Sequence, residues 1–123
     1  MQTSIIRATG YWVPPNVISN EELVESYNRY ATRFNSDNAA AITAGELADV
    51  PLSSAEFVKN ASGIERRHVI EKSGILDIDH LRPHITPRPF DEVSFHAEFA
   101  LKSVKIALEK AGIDGSDVDG VIV

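Results

Sequence analysis

The stretch "SDVDGVIV", residues 116–123, ends the chain and decides its predicted fold class. Its last four residues, Gly120-Val121-Ile122-Val123, are apolar and mostly β-branched, which predicts a strand buried on both faces, as in a parallel sheet. Such a strand needs neighbouring strands and covering helices, and the chain supplies only some of them. We therefore expect the chain to be the front part of a larger α/β protein, ending inside its own core.

The longest predicted helix precedes this strand. Asp91 is its predicted N-cap, and Gly112 is the predicted left-handed residue that closes it after Ala111. Its apolar residues cover more than one face, which predicts a helix packed between two layers. Residues 114–119 are expected to connect this helix to the final strand.

The first part of the chain alternates predicted strands and helices. Residues 4–11 are predicted to form a strand, and Pro14-Pro15-Asn16 a loop. Capping-box patterns predict helix starts at Ser19 and at Ser53. The other expected elements are the first helix, which ends near residues 35–37, a short helix in 38–47, a helix to Ala61, an extended segment at 66–71, a turn at 72–74 and a long irregular segment at 75–89. This order is typical of an α/β fold.

The composition argues against several classes of partner. The 123 residues include 12 Lys and Arg and 18 Asp and Glu, for a net charge of −6, whereas nucleic acids and anionic membrane surfaces select basic proteins. The chain has no cysteine, which excludes thiolate metal sites within it. The N-terminus lacks a signal-peptide pattern, and no apolar run is long enough to span a bilayer. We expect a cytoplasmic protein with no nucleic-acid and no membrane partner.

Three stretches together identify a family. Residues 6–23, IRATGYWVPPNVISNEEL, resemble the opening of β-ketoacyl-acyl carrier protein synthase III, where a first strand ends in glycine, an aromatic residue and proline follow, and asparagine begins the next helix. Residues 62–68, SGIERRH, are similar to the family's Gly-Ile-x-x-Arg segment. Residues 107–113, ALEKAGI, and 117–123, DVDGVIV, resemble the helix, connector and strand that follow.

This resemblance implies a thiolase-like fold, a five-layered αβαβα sandwich, of which residues 1–123 would be the N-terminal part of the first half. The implied reaction starts fatty-acid or related acyl chains by a decarboxylative Claisen condensation of an acyl-CoA primer with malonyl-acyl carrier protein. The family's Cys, His and Asn would lie beyond residue 123, so no catalytic residue is expected in this chain, and the chain alone should be inactive. Acyl-CoA is then a substrate, no cofactor or metal is implied, and the full-length protein is expected to be a homodimer.

The resemblance also suggests Phe57 as a residue that binds coenzyme A. In the family a residue six before the glycine of Gly-Ile-x-x-Arg, usually Trp, stacks on the adenine, and Phe57 occupies that position. An aromatic ring there can still stack on a base, over a smaller area than indole. The alternative is that Phe57 only packs with Val58 on the apolar face of its helix.

Two arginines, Arg66 and Arg67, are further candidates for the same site. Where the family often has an arginine for a phosphate of coenzyme A, this chain has Ala61, so Lys59 or Arg66 would have to supply the charge. Arg67 matches the family arginine, which implies a place near the pantetheine or carrier entrance. A structural ion pair is the favoured alternative for Arg67, because the planar guanidinium suits such contacts.

His80 and His84 have the spacing of zinc ligands on a helix, but Pro83 lies between them and no fitting third ligand is present, so a metal site is disfavoured. Two segments, 27–52 and 74–89, are longer than their counterparts in compact family members. Their apolar content predicts that they pack against the body or a partner subunit and reshape the acyl entrance. The alternative is that both segments lie on the outer surface and do not affect the acyl entrance.

Two other functions remain open from the sequence. One is a different thiolase-superfamily enzyme, which would use the same cysteine for another Claisen condensation or for acyl transfer to oxygen or nitrogen. The other is a stand-alone module that binds a partner through the exposed edge of its last strand.

Overall fold

A computed structural model describes residues 4–122, which divide into two compact units. The larger unit comprises residues 14–86, and the smaller unit comprises residues 4–13 and 87–122. All the buried residues of the described chain lie in the larger unit. The larger unit therefore has a small core, whereas the smaller unit has none.

The larger unit consists of a two-stranded sheet and four helices. In chain order the elements are β1 (Asn16–Ser19), α1 (Asn20–Asp37), α2 (Ala39–Thr43), α3 (Ala55–Ser62), β2 (Arg66–Val69) and α4 (Ser73–Leu76). The strands are antiparallel, with Asn16 opposite Val69 and Ser19 opposite Arg66. The chain thus leaves β1 through three helices and returns beside it in β2.

Helix α1 contacts most other elements of the larger unit, and the sequence explains its start and its buried face. The Ser19 hydroxyl accepts the N–H of Glu22, and the Glu22 carboxylate accepts the N–H of Ser19. Val24 and Ala31, seven residues apart on one face, are buried together with Ile18 of β1. The predicted helix and its capping box are confirmed.

Helix α3 has Ser54, not Ser53, as its N-cap. The Ser54 hydroxyl accepts the N–H of Phe57 at 3.0 Å, so the predicted start is wrong by one residue. The reason is that the backbone of Ser53 is hydrogen-bonded to the side chain of Asn28. Gly63 closes α3 at φ 70°, a conformation that glycine adopts without steric cost.

The smaller unit contains one long helix, α5 (Phe95–Ala111), and a 3₁₀ turn at Gly115–Asp117. Ser94 caps α5 by accepting the N–H of Ala97, so the predicted start at Asp91 is wrong. Gly112, at φ 65°, closes the helix as predicted.

The N-terminal segment of the smaller unit crosses α5 at Gly10. A Cβ at this position would lie 2.4 Å from the carbonyl oxygen of Ser103 and 2.6 Å from the nitrogen of Ala107. The N–H of Trp12 donates to the Ser103 hydroxyl, and its ring lies 4.8 Å from that of Phe99, centroid to centroid. The crossing therefore requires glycine at position 10.

Two predicted strands are absent from the described residues. Neither 4–11 nor 120–122 is a strand, and Val123 lies outside the described residues. A strand takes its hydrogen bonds from a neighbour, and the described part of the smaller unit has no strand to supply them. Val121 and Ile122 are exposed instead. The last strand, whose edge a stand-alone binding module would use, is therefore not formed in residues 120–122.

Other sequence predictions are also corrected. The loop predicted at Pro14-Pro15-Asn16 ends early, because Asn16 begins β1, and the turn predicted at 72–74 runs into α4. Helix α5 has no buried residue, so it does not lie between two layers of the described structure. The described sheet is antiparallel and two-stranded. The α/β class is confirmed in this limited form, while the five-layered fold stays a prediction.

None of the helices in residues 4–122 combines the length and the apolar character needed to cross a membrane.

Candidate functional site

An open apolar groove of about 730 Å³ lies between α1 and the chain that leads into α3. One wall is formed by α1. The other is formed by residues 51–54 and the first turn of α3. The lining residues are Leu23, Val24, Tyr27, Pro51, Leu52, Ser53, Ser54, Phe57 and Val58. No charged residue lines this groove, so it suits an apolar or planar aromatic group.

Phe57 lies on the first turn of α3 and forms part of the groove lining. Phe57 is 64% exposed, and Leu52 on the same wall is 63% exposed. A phenylalanine in a core would be almost fully buried, so Phe57 is not a core residue in the described chain. Its ring is available to a planar ligand.

Residues 50–53, which form one wall of the groove, are held to α1 by side chains. Asn28 Nδ2 donates to the Ser53 carbonyl at 3.0 Å, and Asn28 Oδ1 accepts the Ser53 N–H at 2.9 Å. Asn35 makes the same two bonds with Val50, at 2.9 and 2.8 Å. We call Asn28 and Asn35 with these four hydrogen bonds the asparagine clasp.

Arg67 forms part of a hydrogen-bonded chain at the start of α1. Its Nη1 donates to Asn20 Oδ1 at 2.9 Å, and Asn20 Nδ2 donates to the carbonyl of Ile64 at 2.7 Å. Asn20 is only 4% exposed, so this guanidinium satisfies a buried amide. The contact ties β2 and the turn before it to α1.

The structure does not bring the three candidate residues into one site. Arg66, beside Arg67 on β2, is exposed. Neither arginine is among the residues that line the groove with Phe57. The described chain therefore presents an aromatic surface at Phe57 and a separate cationic group at Arg66.

Lys59, the other candidate for the missing cation, has a carboxylate partner. Its ammonium group lies 2.6 Å from Glu65, and both side chains are mostly exposed. The hydrogen bond to Glu65 raises the pKa of Lys59, and the same bond lowers the pKa of Glu65. A phosphate at Lys59 would therefore compete with Glu65, although an exposed pair of this kind is weak.

Glu71 organises the segment that begins at residue 73. Its carboxylate accepts the hydroxyl and N–H of Ser73, the N–H of Gly74 and the N–H of His84. The hydrogen bond from the Ser73 hydroxyl, followed by that from the His84 N–H, lowers the pKa of Glu71 to about 2. One side chain thus joins the two ends of the loop that runs from Gly74 to His84.

This segment also packs against α1. The Ser26 hydroxyl donates to the Leu76 carbonyl at 2.8 Å, and Arg33 pairs with Asp79 at 2.6 Å. Gly74 lies so close to the backbone of Arg82 that a Cβ would come within 2.4 Å of its carbonyl oxygen. Residues 74–86 therefore pack against α1 within the larger unit.

The two histidines of this segment contact each other. The rings of His80 and His84 are stacked, with centroids 4.1 Å apart and planes 25° apart. Leu81, with φ 54°, and Pro83 prevent a helix between them. Within residues 4–122, no group of three or more histidines or carboxylates is placed to hold a metal ion.

Comparison with known proteins gives one informative match. No family model matches the chain. It is 41% identical over 100 residues to the beta-ketodecanoyl-[acyl-carrier-protein] synthase of Pseudomonas aeruginosa, a match that covers 81% of this chain. The chain is related to the β-ketoacyl-acyl carrier protein synthases. It spans 29% of the length of that synthase.

This relationship confirms the resemblance drawn from residues 6–23, 62–68 and 107–123. The asparagine clasp, in contrast, was not anticipated. The available signal was the spacing of Asn28 and Asn35, which puts two amides on one face of α1. Their partners Val50 and Ser53 lie 15 and 25 residues further along the chain, and no local pattern marks such partners.

Proposed function

We propose that this chain forms the N-terminal part of a condensing enzyme of fatty-acid or related acyl-chain synthesis. The enzyme would join an acyl-CoA primer to malonyl-acyl carrier protein with loss of carbon dioxide, working as a cytoplasmic homodimer. The observation that carries the proposal is the 41% identity to a synthase of this type. The exposed aromatic ring of Phe57, at the position of the family's adenine contact, supports it.

The proposed reaction consists of two transfers. A cysteine thiolate beyond residue 123 attacks the thioester carbonyl of the acyl-CoA, and coenzyme A leaves as its thiolate, which takes up a proton from solvent. Malonyl-acyl carrier protein then loses carbon dioxide, and the resulting enolate carbon attacks the cysteine thioester. The cysteine leaves as thiolate, and the product is a β-ketoacyl-acyl carrier protein two carbons longer than the primer. The family's His and Asn would donate hydrogen bonds to the oxygen that becomes the enolate.

In this scheme Phe57 contacts the adenine of the primer's coenzyme A. The apolar groove beside it supports this role, because a base can stack on the ring while its edge faces Leu52 and Tyr27. Phenylalanine offers less area than the family's usual tryptophan. A weaker hold on coenzyme A is therefore expected than in relatives with tryptophan.

We assign different roles to Arg66 and Arg67. Arg66 is exposed and is the proposed partner for a phosphate of coenzyme A, in place of the family arginine that Ala61 replaces. Arg67 is the proposed anchor of β2 on α1, supported by its bond to the buried Asn20. A direct contact of Arg67 with substrate is the less favoured assignment.

The proposed primer is a medium-length acyl chain. The Pseudomonas relative is named for a ten-carbon product, β-ketodecanoyl, and a condensation that adds two carbons reaches this length from an eight-carbon acyl group. We therefore propose octanoyl-CoA as the primer of the enzyme to which this chain belongs. We also propose that the segments 27–52 and 74–89 reshape the acyl entrance so that primers longer than acetyl are accepted.

The role of Phe57 can be tested in the full-length enzyme with two variants. Phe57→Ala should raise the KM for octanoyl-CoA about two- to tenfold, the value of one aromatic stacking contact. Phe57→Trp, which restores the family residue, should lower it. The KM for malonyl-acyl carrier protein should not change, since it has no adenine. An equal loss when the primer is delivered on the carrier protein would contradict the adenine contact.

A further inference from the structure

The asparagine clasp makes hydrogen bonds to residues 50–53 like those that a neighbouring strand would make. Each amide side chain donates to the carbonyl and accepts the N–H of one residue, Ser53 for Asn28 and Val50 for Asn35. A side-chain amide has the same donor and acceptor pair as a peptide group, so it can satisfy both polar groups of an extended residue. The segment is thereby fixed without belonging to the sheet.

The clasp leaves the residues between its two ends facing the groove. Asn28 and Asn35 are two helical turns apart, about 10 Å along α1, which matches the extended run from Val50 to Ser53. Pro51 lies between Val50 and Ser53. Its carbonyl accepts the Tyr27 hydroxyl at 2.9 Å, and it has no N–H to satisfy. The backbone is thus hydrogen-bonded to α1 while Leu52 lines the groove.

The clasp also determines where α3 begins. Ser53, held by Asn28, is followed directly by Ser54, the N-cap whose hydroxyl accepts the N–H of Phe57. A residue held at both backbone groups cannot rotate freely, so the orientation of the cap and the first turn follows from it. Phe57 is therefore connected to α1 through a short path that includes the Phe57–Ser54 hydrogen bond and the two Ser53–Asn28 hydrogen bonds.

We propose that Asn28 and Asn35 are positioning residues for the acyl-CoA primer, which orient Phe57 for stacking by fixing residues 50–53 and the first turn of α3. This rests on the proposed function, in which Phe57 contacts the adenine. Neither asparagine touches the substrate. The connection between α1 (Asn20–Asp37) and α3 (Ala55–Ser62) costs entropy to order, and the four hydrogen bonds of the clasp offset part of that cost.

The test uses Asn28→Ala and Asn35→Ala, made separately in the full-length enzyme. Each should raise the KM for octanoyl-CoA about two- to tenfold, the range expected for losing the stacking contact, with kcat and the KM for malonyl-acyl carrier protein unchanged. Asn16→Ala is the matched control. Asn16 also donates from its side chain to a backbone carbonyl, that of Ile70 at 2.7 Å, but does not line the groove. Its removal should leave all three constants unchanged.

A double-mutant cycle shows whether the clasp acts through Phe57. In a Phe57→Ala background, removing Asn28 should raise the KM no further, because the contact that it positions is already lost. A full additional rise would overturn the proposal, and so would a fall in kcat equal to the rise in KM. Should Asn28→Ala fail to fold, the same cycle with Asn35→Ala decides the matter.

Hydrogen exchange separates the failure of this inference from the failure of the proposed function. The N–H groups of Val50 and Ser53 donate to the clasp. Each should exchange faster in the variant that replaces its acceptor asparagine with alanine. Faster exchange and an unchanged KM, with Phe57→Ala still raising the KM, would overturn the positioning role alone. A KM that does not respond to Phe57→Ala either would overturn the adenine contact, and the positioning role with it.

Discussion

Glu71 illustrates how one carboxylate can hold a loop through hydrogen bonds alone. All its partners are a hydroxyl and backbone N–H groups, from Ser73, Gly74 and His84. Such donors stabilise the ionised form, which is why the pKa of Glu71 falls to about 2. The loop that carries the two stacked histidines therefore depends on the charge of a single residue.

Because the loop depends on the charge of Glu71, its stability should vary with pH. The folded pKa of Glu71, about 2, lies below its ordinary value of 4.5, so its contribution to loop stability is complete above about pH 4.5 and is lost as the pH falls towards 2. We expect the ¹³C signal of the Glu71 carboxyl to titrate with a midpoint near 2. In Glu71→Gln, the His84 amide should exchange faster than in the unchanged chain when both are measured at the same pH above 4.5. A midpoint near 4.5 would show that the carboxylate is not engaged.

The candidate residues differ in how far the sequence could predict them. Phe57 could be proposed from the sequence because it lies six residues before Gly63, inside a single local motif. The hydrogen bond from Arg67 to Asn20 could not be predicted from the sequence, because the two residues lie 47 positions apart. The clasp was missed for the same reason.

Helices were predicted more successfully than strands. The start of α1 and the ends of α3 and α5 depend on Ser19, Gly63 and Gly112, whose effects extend over a few neighbouring residues. A strand depends on a partner. The apolar residues at 120–122 look like a strand but have no partner in the described chain, whereas Asn16–Ser19, directly after two prolines, pairs with β2.

The cap of α1 can be tested by exchange of its first amides. Ser19→Ala removes the acceptor of the Glu22 N–H, which typically costs about 1 kcal/mol. We expect the Glu22 amide to exchange about fivefold faster, the factor that corresponds to this free energy. Ser36→Ala, an exposed serine of the same helix, should leave that amide unchanged. Equal effects of the two variants would mean that the cap does not stabilise α1.

Considered across all described residues, the two units are unequally stabilised. The larger unit buries Ile18, Val24 and Ala31, while the smaller unit leaves many large apolar side chains exposed. These include Ile5, Ile6, Phe90, Val121 and Ile122. An apolar surface of this kind is typical of a protein region that is covered by other polypeptide.

We therefore expect the 123-residue chain alone to self-associate. An exposed apolar patch of about 400 Å² would forgo about 10 kcal/mol of burial, at about 25 cal/mol per Å², which is comparable to the whole stability of a domain. Sedimentation velocity should show oligomers that grow with concentration. A monomer with a sharp cooperative melt at high temperature would contradict this expectation.

The condensation itself is tested by identifying the products of the full-length enzyme. Octanoyl-CoA and malonyl-acyl carrier protein are mixed with the enzyme, and the carrier-bound product, carbon dioxide and free coenzyme A are measured by mass spectrometry and gas trapping. We expect β-ketodecanoyl-acyl carrier protein, with carbon dioxide and coenzyme A released in equal amounts. Release of coenzyme A without carbon dioxide, with the octanoyl group found on an oxygen or nitrogen acceptor, would contradict the account and identify an acyltransferase instead.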